Sequence, residues 1–268
     1  MAELSANNLT VSVGPKRLLE DVTIAFAPAK LAAIIGENGA GKSTLLRVLS
    51  GYQKLDTGQA LLDGRDISAM RPVERARSIG WLPQALPSAL PVTVRDAVAL
   101  GRFAHGGTPH RLGEADTRAV DDALLACDLA ELADRSTTSL SGGELARMHL
   151  ARALAAATPV MLVDEPLAAL DPRHRLNTME MLADLAVRQG RTIVVVLHDV
   201  GLAARFAHRI IMMRQGKVMA DGTPREVVTP AIIADGFGVE LGVDNSVGWP
   251  QPVFLAPINS AAAESQTG

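Results

Sequence analysis

Residues 31–49 read LAAIIGENGAGKSTLLRVL, and this stretch decides the fold class. Its first five residues are apolar and predict a short buried strand, whereas the apolar residues from Leu45 onward follow helical spacing. Between strand and helix lies the pattern G-x-x-x-x-G-K-[ST], which predicts a phosphate-binding loop in this context. The loop comprises Gly36, Glu37, Asn38, Gly39, Ala40, Gly41, Lys42, Ser43 and Thr44.

This loop predicts a site for a nucleoside triphosphate and Mg²⁺. Its glycines let backbone N–H groups point at phosphate oxygens, and the following helix N-terminus adds partial positive charge. Lys42 would reach the β- and γ-phosphates, and the Ser43 hydroxyl would bind Mg²⁺. A glycine-rich turn that binds nothing is the alternative, and it is disfavoured because the whole motif matches between a strand and a helix.

Composition sets the broad class. A chain of 268 residues with 48% hydrophobic and 3% aromatic residues suits one α/β domain, with or without an insertion, around an aliphatic core. The formal net charge of −3 argues against a nucleic-acid partner, which requires a clustered basic surface. Cys127 is the one cysteine, so an internal disulfide is excluded. The sequence shows neither a signal-peptide pattern nor a membrane-spanning apolar run, and we expect a soluble protein.

Strand signals occur on both sides of a helical stretch. We predict a nucleotide-binding domain over 1–238, with its core at about 1–84 and 160–238 and an inserted helical subdomain at about 85–159. Residues beyond about Gly238 are rich in Gly, Pro, Ser and Ala, and we expect a frayed tail over 239–268. The predicted core strands are 4–13, 18–26, 31–35, 59–62, 78–82, 160–163 and 192–197, with a hairpin over 209–220. The predicted helices include 66–77, interrupted at Pro72, and 94–103, 114–133, 141–157 and 173–189.

Polar side chains follow the central predicted strands. Gln84, the pair Asp164 and Glu165, and His198 each come directly after an apolar strand, as the phosphate loop does. Because ligands bind at the carboxyl ends of an open parallel sheet, these groups together describe an active site. Asp164 suits an acid that holds Mg²⁺, and Glu165 suits a base that polarises water.

The two remaining groups have weaker signals. Gln84 can bridge the metal and the attacking water, although an exposed loop glutamine is its alternative interpretation. His198 could donate a hydrogen bond to the γ-phosphate, whereas a lone histidine is more often structural. The other histidines have no such context, and we expect them to be surface or packing residues. They are His105, His110, His149, His174 and His208.

The sequence LSGGE at 140–144 predicts a second glycine-rich helix N-terminus, and thus a second anion site. Because the first loop already binds one triphosphate, a two-fold arrangement explains the second. Each chain would offer this site to the nucleotide that the other chain holds.

LSGGE, the phosphate loop, VMLVDEP at 160–166, the run Ala169-Leu170-Asp171 and His198 together resemble the nucleotide-binding subunits of ABC transporters over roughly residues 3–238. The resemblance implies an α/β P-loop fold with a RecA-like, mostly parallel sheet, an N-terminal antiparallel β subdomain and the inserted helical subdomain. It also implies ATP and Mg²⁺ as ligands and ATP hydrolysis as the activity.

The resemblance implies roles for the second site as well. Ser141, Gly142 and Gly143 would contact the γ-phosphate across a head-to-tail homodimer, with Glu144 as a further residue of that nucleotide-binding segment, and Asp171 would belong to the loop that links the two sites. Glu165 would be the catalytic glutamate and His198 the switch histidine.

A partner in the membrane follows from the same resemblance. Gln84 would join the core to the helical subdomain, whose groove would bind a transmembrane permease. Two ATP molecules would close the dimer, hydrolysis would reopen it, and the permease would convert this cycle into alternating access.

The runs VRDAVALGRFAH at 94–105 and DGTPREVVTPAIIADGFGVE at 221–240 are similar to those of bacterial importers for ferric siderophores, haem and cobalamin. This similarity implies permease subunits, a periplasmic binding protein and a location at the cytoplasmic face of the bacterial inner membrane. An exporter ATPase remains an alternative. A non-transport ATPase acting on DNA or ribosomes is disfavoured, because the second domain, basic linker or coiled coil of such proteins is missing.

Two positions depart from the family pattern. Val13 lies where an aromatic ring usually stacks on adenine, which predicts weaker nucleotide affinity or relaxed base choice. Leu145 follows LSGGE where a polar residue is common, which predicts looser contacts across the dimer.

Overall fold

The computed structural model describes residues 2–84 and 91–257. The strands are β1 (Leu4–Val13), β2 (Lys16–Phe26), β3 (Leu31–Ile35), β4 (Thr57–Leu62), β5 (Arg65–Asp66), β6 (Ile79–Leu82), β7 (Val160–Asp164), β8 (Thr192–Val196), β9 (Arg209–Arg214), β10 (Lys217–Gly222), β11 (Val239–Asp244) and β12 (Gln251–Pro257). The α-helices are α1 (Lys42–Leu49), α2 (Pro72–Ser78), α3 (Val94–Ala99), α4 (Glu114–Ala126), α5 (Gly142–Ala155), α6 (Pro172–Gln189), α7 (Val200–Phe206), α8 (Pro224–Val227) and α9 (Pro230–Phe237). No helix of these ranges is long and apolar enough to cross a membrane.

The central sheet has six strands in the order β10-β9-β3-β8-β7-β6. Neighbouring strands are parallel from β9 through β3, β8 and β7 to β6. Strands β9 and β10 form the expected antiparallel hairpin. Every residue of β3, β7 and β8 is buried, as uninterrupted apolar runs predict for parallel strands covered on both faces. The predicted α/β class is confirmed.

Two hydrophobic cores cover the faces of this sheet. Ala33 and Ile35 face the core that contains residues of α3 to α9, which we call the helical-face core, whereas Ala32 and Ile34 face the core that contains β1, β2 and α1. On that second face, a four-stranded antiparallel layer has the order β2-β1-β4-β5. The expected N-terminal β subdomain is therefore present, and it packs behind the phosphate loop.

Between residues 91 and 159 the described chain forms α3, α4, α5 and short 3₁₀ turns, as expected for a helical insertion. The helix expected over 114–133 ends at Ala126, because Asp128 adopts a left-handed φ of 53°. The irregular entry predicted after Gln84 falls on residues 85–90, which lie outside the described residues.

The helix expected over 66–77 with an interruption at Pro72 is wrong in its first half. Residues 67–69 form one 3₁₀ turn, and α2 begins at Pro72 itself. Proline suits this first position because the N–H it lacks would have no helical partner there.

The expected frayed tail is wrong for residues 239–257. Strands β11 and β12 pair as an antiparallel hairpin, and Leu241 joins the helical-face core. The guanidinium of Arg205 lies 4.9 Å from the ring centroid of Phe206 and 5.0 Å from that of Trp249, which fastens the hairpin to α7. The rest of the predicted tail, 258–268, lies outside the described residues.

Candidate nucleotide site

The phosphate loop forms a tight turn between β3 and α1. Gly36 has a φ of +142°, and a Cβ there would lie 2.1 Å from the carbonyl oxygen of Met213. Gly41 has a φ of +99°, and its Cβ would lie 2.7 Å from the carbonyl oxygen of Leu18. Glycine is required at both positions, because a side chain would meet backbone. The loop lines a cavity of about 360 Å³.

Lys42 presents its charge inside this loop. Its ammonium group donates to the carbonyl oxygens of Gly36 at 2.7 Å and Glu37 at 2.8 Å, and the residue is 5% exposed. Burial lowers the pKa of Lys42, and the carboxylates of Glu165 and Asp164 oppose this shift. Phosphate oxygens entering the loop would meet a cation already held in position.

Asp164 and Ser43 suit a divalent cation. Asp164 is 2% exposed, and its Oδ1 has no hydrogen-bond partner among the described residues. Burial raises the pKa of Asp164, and the hydroxyl of Ser43 partly offsets this effect. An unpaired buried carboxylate oxygen beside a hydroxyl fits Mg²⁺, which takes few protein ligands and completes its shell with phosphates and water.

Glu165 contacts the side chains that follow the two strands beside its own, β6 and β8. Its Oε2 accepts a hydrogen bond from Gln84 Nε2 at 2.7 Å, and its Oε1 lies 2.6 Å from His198 Nε2. The Glu165 side chain is 12% exposed, and its backbone has a left-handed φ of 51°. Such a conformation costs about 1–3 kcal/mol and is concentrated at functional sites. The structure therefore groups the predicted residues Gln84, Glu165 and His198.

The second predicted anion site begins α5. Ser141 is the N-cap: its hydroxyl accepts from the Glu144 N–H at 3.3 Å, and its own N–H donates to Glu144 Oε2 at 2.8 Å. That N–H lowers the pKa of Glu144. The Glu144 carboxylate thus has a capping role. Residues 141–144 do not line the phosphate-loop cavity of their own chain, within the part that the structure describes.

His174, expected to be a surface or packing residue, is partly exposed and contacts two of the segments that the sequence singled out. Its Nδ1 lies 2.7 Å from Asp171 Oδ2, and its Nε2 lies 2.9 Å from Arg147 Nη1. Because a guanidinium only donates, Nε2 accepts, and because the carboxylate accepts, Nδ1 carries the proton. A neutral imidazole therefore connects the Asp171 loop to the helix that begins with the LSGGE residues.

Three of the remaining histidines have the expected surface or packing positions. His208 Nδ1 accepts from the Leu31 N–H at 3.2 Å, His105 Nε2 contacts the carbonyl oxygen of Ala156 at 3.0 Å, and His110 is exposed. His149 is buried, as expected for a packing residue, but it lines a cavity together with Gln84, Asp164 and Glu165.

The structure places both residues that depart from the family pattern, Val13 and Leu145. Val13 ends β1 and is 57% exposed. Three residues later, Lys16 lines the phosphate-loop cavity, a contact that no sequence motif indicated. Leu145 is half-buried and packs against the helical-face core.

A phosphate loop after β3 and an acidic pair at the end of β7, two strands away in the same parallel sheet, are typical of the P-loop class of nucleoside triphosphatases. A family model described as "ABC transporter" matches residues 19–168. The chain belongs to the ABC transporter family.

Two named relatives match most of the chain. It is 39% identical over 265 residues to the cobalamin import ATP-binding protein BtuD of Halobacterium salinarum, covering 98% of this chain and 66% of that protein. It is 37% identical over 267 residues to the ferric enterobactin transport ATP-binding protein FepC of Escherichia coli, covering 99% of this chain and 98% of FepC.

Solved structures agree with the fold. An ABC transporter in an inward-facing conformation superposes with a TM-score of 0.80 at 26% identity, covering 95% of this chain and 98% of that one. The dimeric ABC transporter cassette MJ0796 superposes with a TM-score of 0.73 at 29% identity, covering 82% and 98%.

We predict that His174→Ala lowers the free energy of unfolding by about 0.5–1.5 kcal/mol, because it removes the hydrogen bonds to Arg147 and to the exposed Asp171 carboxylate. His174→Gln should restore most of the loss, since its amide can donate to Asp171 and accept from Arg147. Denaturant unfolding followed by circular dichroism measures both variants. His110→Ala, at an exposed position, is the control, and an equal loss in His174→Gln and His174→Ala would contradict the prediction.

Proposed function

We propose that this chain is the ATP-hydrolysing subunit of a bacterial importer for a ferric siderophore, haem or cobalamin. The observation that carries the proposal is the Glu165 carboxylate, which lies beside the phosphate loop and contacts both Gln84 and His198. The names of the similar proteins, cobalamin import and ferric enterobactin transport, support this class of cargo. The chain would act at the cytoplasmic face of the inner membrane.

Each residue of the site would have a separate role in ATP hydrolysis. Lys42 and the N–H groups of the loop would bind the phosphates of ATP, and Ser43, Asp164 and the amide oxygen of Gln84 would hold Mg²⁺. When bound, Mg²⁺ neutralises charge on the β- and γ-phosphates. Glu165 would accept a proton from the attacking water, and His198 would donate to the γ-phosphate.

The contacts of Glu165 leave room for the attacking water. Each carboxylate oxygen has one partner, at 2.7 Å and 2.6 Å. Because an ionised carboxylate oxygen has two lone pairs, a water molecule can hydrogen-bond to Glu165 while both contacts persist. Gln84 and His198 would then orient the carboxylate toward that water.

A head-to-tail homodimer would complete each site. Ser141 and Gly142 are exposed at the start of α5, where backbone N–H groups and the helix dipole favour an anion. The similarity to a dimeric cassette supports this arrangement. Ser141, Gly142, Gly143 and Asp171 would then contact the nucleotide held by the partner subunit. The permease subunits would bind to the helical subdomain, and a periplasmic binding protein would deliver the cargo to them.

We expect Glu165→Gln to reduce the ATPase rate by about 10²-fold or more, because an amide cannot accept the proton of the attacking water. ATP should then accumulate in a stable dimer, visible by gel filtration with light scattering. Lys42→Ala in the same background should abolish this ATP-dependent dimer. A dimer that forms equally well without nucleotide would contradict the scheme.

Val13→Tyr should lower the KM for ATP about fivefold or more, because a ring at this position can stack on adenine with about 1–3 kcal/mol. The ATP/GTP preference should rise in the same variant. Steady-state ATPase assays measure both, with Val13→Leu as the control for added apolar volume. An unchanged KM together with an unchanged base preference would contradict the stacking role of this position.

Affinity capture of the tagged full chain from its native membranes in mild detergent should co-purify a polytopic permease, identified by mass spectrometry. Transport of a ferric siderophore, haem or cobalamin by vesicles that contain the complex should require ATP and stop with Glu165→Gln. Recovery of the chain alone, or with soluble partners, would remove the transport function and leave the ATPase.

A further inference from the structure

A second lysine faces the phosphate loop from outside the loop itself. Lys16 begins β2 and lines the same cavity of about 360 Å³ as residues 38–44. Its side chain is exposed, whereas Lys42 is buried within the loop. The cavity therefore has one lysine at its base and another at its rim.

Backbone contacts fix the position of Lys16 relative to the loop. Lys16 pairs in register with Val13, so the β1–β2 hairpin determines where its side chain starts. The Glu20 N–H, also on β2, donates to the carbonyl oxygen of Gly216 at 2.9 Å. The Gly216 N–H in turn donates to the carbonyl oxygen of Ala40, in the phosphate loop, at 3.0 Å. The strand that carries Lys16 is thus connected to the loop through a single turn.

The ammonium group of Lys16 has no counter-ion within the described part of the chain, although the cations near it do. The two carboxylate oxygens of Glu20 pair with Arg17 at 3.0 Å and with Lys217 at 3.3 Å. Glu165 is the one acid among the described residues that line the cavity, and other side chains already contact both of its oxygens. The charge of Lys16 is therefore available to an anionic ligand in the cavity.

The sheet places Lys16 and Glu165 on opposite sides of the loop. Strand β3, which leads into the loop, has β9 on one side and β8 on the other. Gly216, which contacts β2, lies in the turn between β9 and β10, whereas Glu165 follows β7, beyond β8. Because Glu165 marks the end of the site where the γ-phosphate would react, Lys16 lies toward the end that the α-phosphate would occupy.

We infer that Lys16 binds the phosphate chain of the nucleotide at its α-phosphate end and adds affinity without reading the base. This inference rests on the ATP binding that the proposed function requires. Lysine suits such a contact, because its ammonium group is a point charge with three donors on a flexible stem. ATP and GTP carry the same phosphate chain, so the contact cannot distinguish their bases.

The exposure of Lys16 makes its contribution sensitive to salt. Salt screens interactions between exposed charges, with a Debye length of about 10 Å at 0.1 M, and screens buried charges much less. Raising the salt concentration should therefore weaken the contact of Lys16 more than that of the buried Lys42. Part of the nucleotide affinity should depend on ionic strength, and that part should disappear with the charge of Lys16.

Equilibrium binding to the full chain tests the inference. Fluorescent derivatives of ATP, ADP and GTP are titrated at low and high salt, with EDTA present to prevent hydrolysis. Lys16→Gln should raise the Kd at low salt about fivefold, as expected for an exposed ion pair at the strong end of its range. The factor should be the same for all three nucleotides, because each contains the α-phosphate. The Kd of this variant should also change less with salt than that of the wild type.

Two further variants control for charge and for position. Lys16→Arg keeps the charge and should retain most of the affinity. Arg17→Gln removes the adjacent exposed cation of β2, which pairs with Glu20 and is not among the described residues that line the cavity. The Kd of Arg17→Gln should equal that of the wild type. Thermal melts by circular dichroism check that every variant is folded.

The outcomes distinguish the inference from the proposed function. If the wild type binds none of the three nucleotides, the proposed function fails. If the wild type binds them and Lys16→Gln binds equally well, or if Arg17→Gln loses as much affinity, the role of Lys16 is refuted while the ATPase stands. A loss for ATP without a loss for ADP would indicate a γ-phosphate contact, and unequal losses for ATP and GTP would indicate a base contact. Either result would overturn the inference.

Discussion

The strand order of the central sheet is the constraint on which the site depends. The phosphate loop follows β3, His198 follows β8, Asp164 and Glu165 lie at the end of β7, and Gln84 follows β6. These strands are adjacent and parallel in the order β3-β8-β7-β6, although they are widely separated in the chain. Hydrogen-bonded neighbours bring the polar groups within contact distance at one edge. A different strand order would leave the same motifs apart.

That order explains how much of the site the sequence could predict. Strands β3, β7 and β8 are short, mostly apolar runs that lead into the phosphate loop, the pair Asp164 and Glu165, and His198, and such runs indicate buried parallel strands with ligand-binding ends. The C-terminal hairpin carries no comparable signal, because β11 contains glycine, β12 contains two prolines, and its attachment depends on Arg205 from a distant helix. The composition of this segment predicted a tail, whereas the structure shows a hairpin that contacts Arg205 of α7.

The side-chain contacts around the site could not be predicted either, because they join residues that are distant in the sequence. His174 is an ordinary helix residue in the sequence, and its role appears only when Arg147, which lies 27 positions away, approaches its Nε2. Motifs report groups that touch a ligand, whereas these side chains act through neighbours that only the fold selects.

The contacts of Glu165 join the strands on either side of its own. Its carboxylate accepts from Gln84, which follows β6, and lies 2.6 Å from His198, which follows β8. The left-handed backbone of Glu165 costs about 1–3 kcal/mol, and it persists because the surrounding structure fixes it. Each carboxylate oxygen keeps a second lone pair, so a water molecule can hydrogen-bond to Glu165 while Gln84 and His198 hold the side chain in place. Strand order and side-chain contacts therefore position the same carboxylate, which is the group proposed to accept a proton.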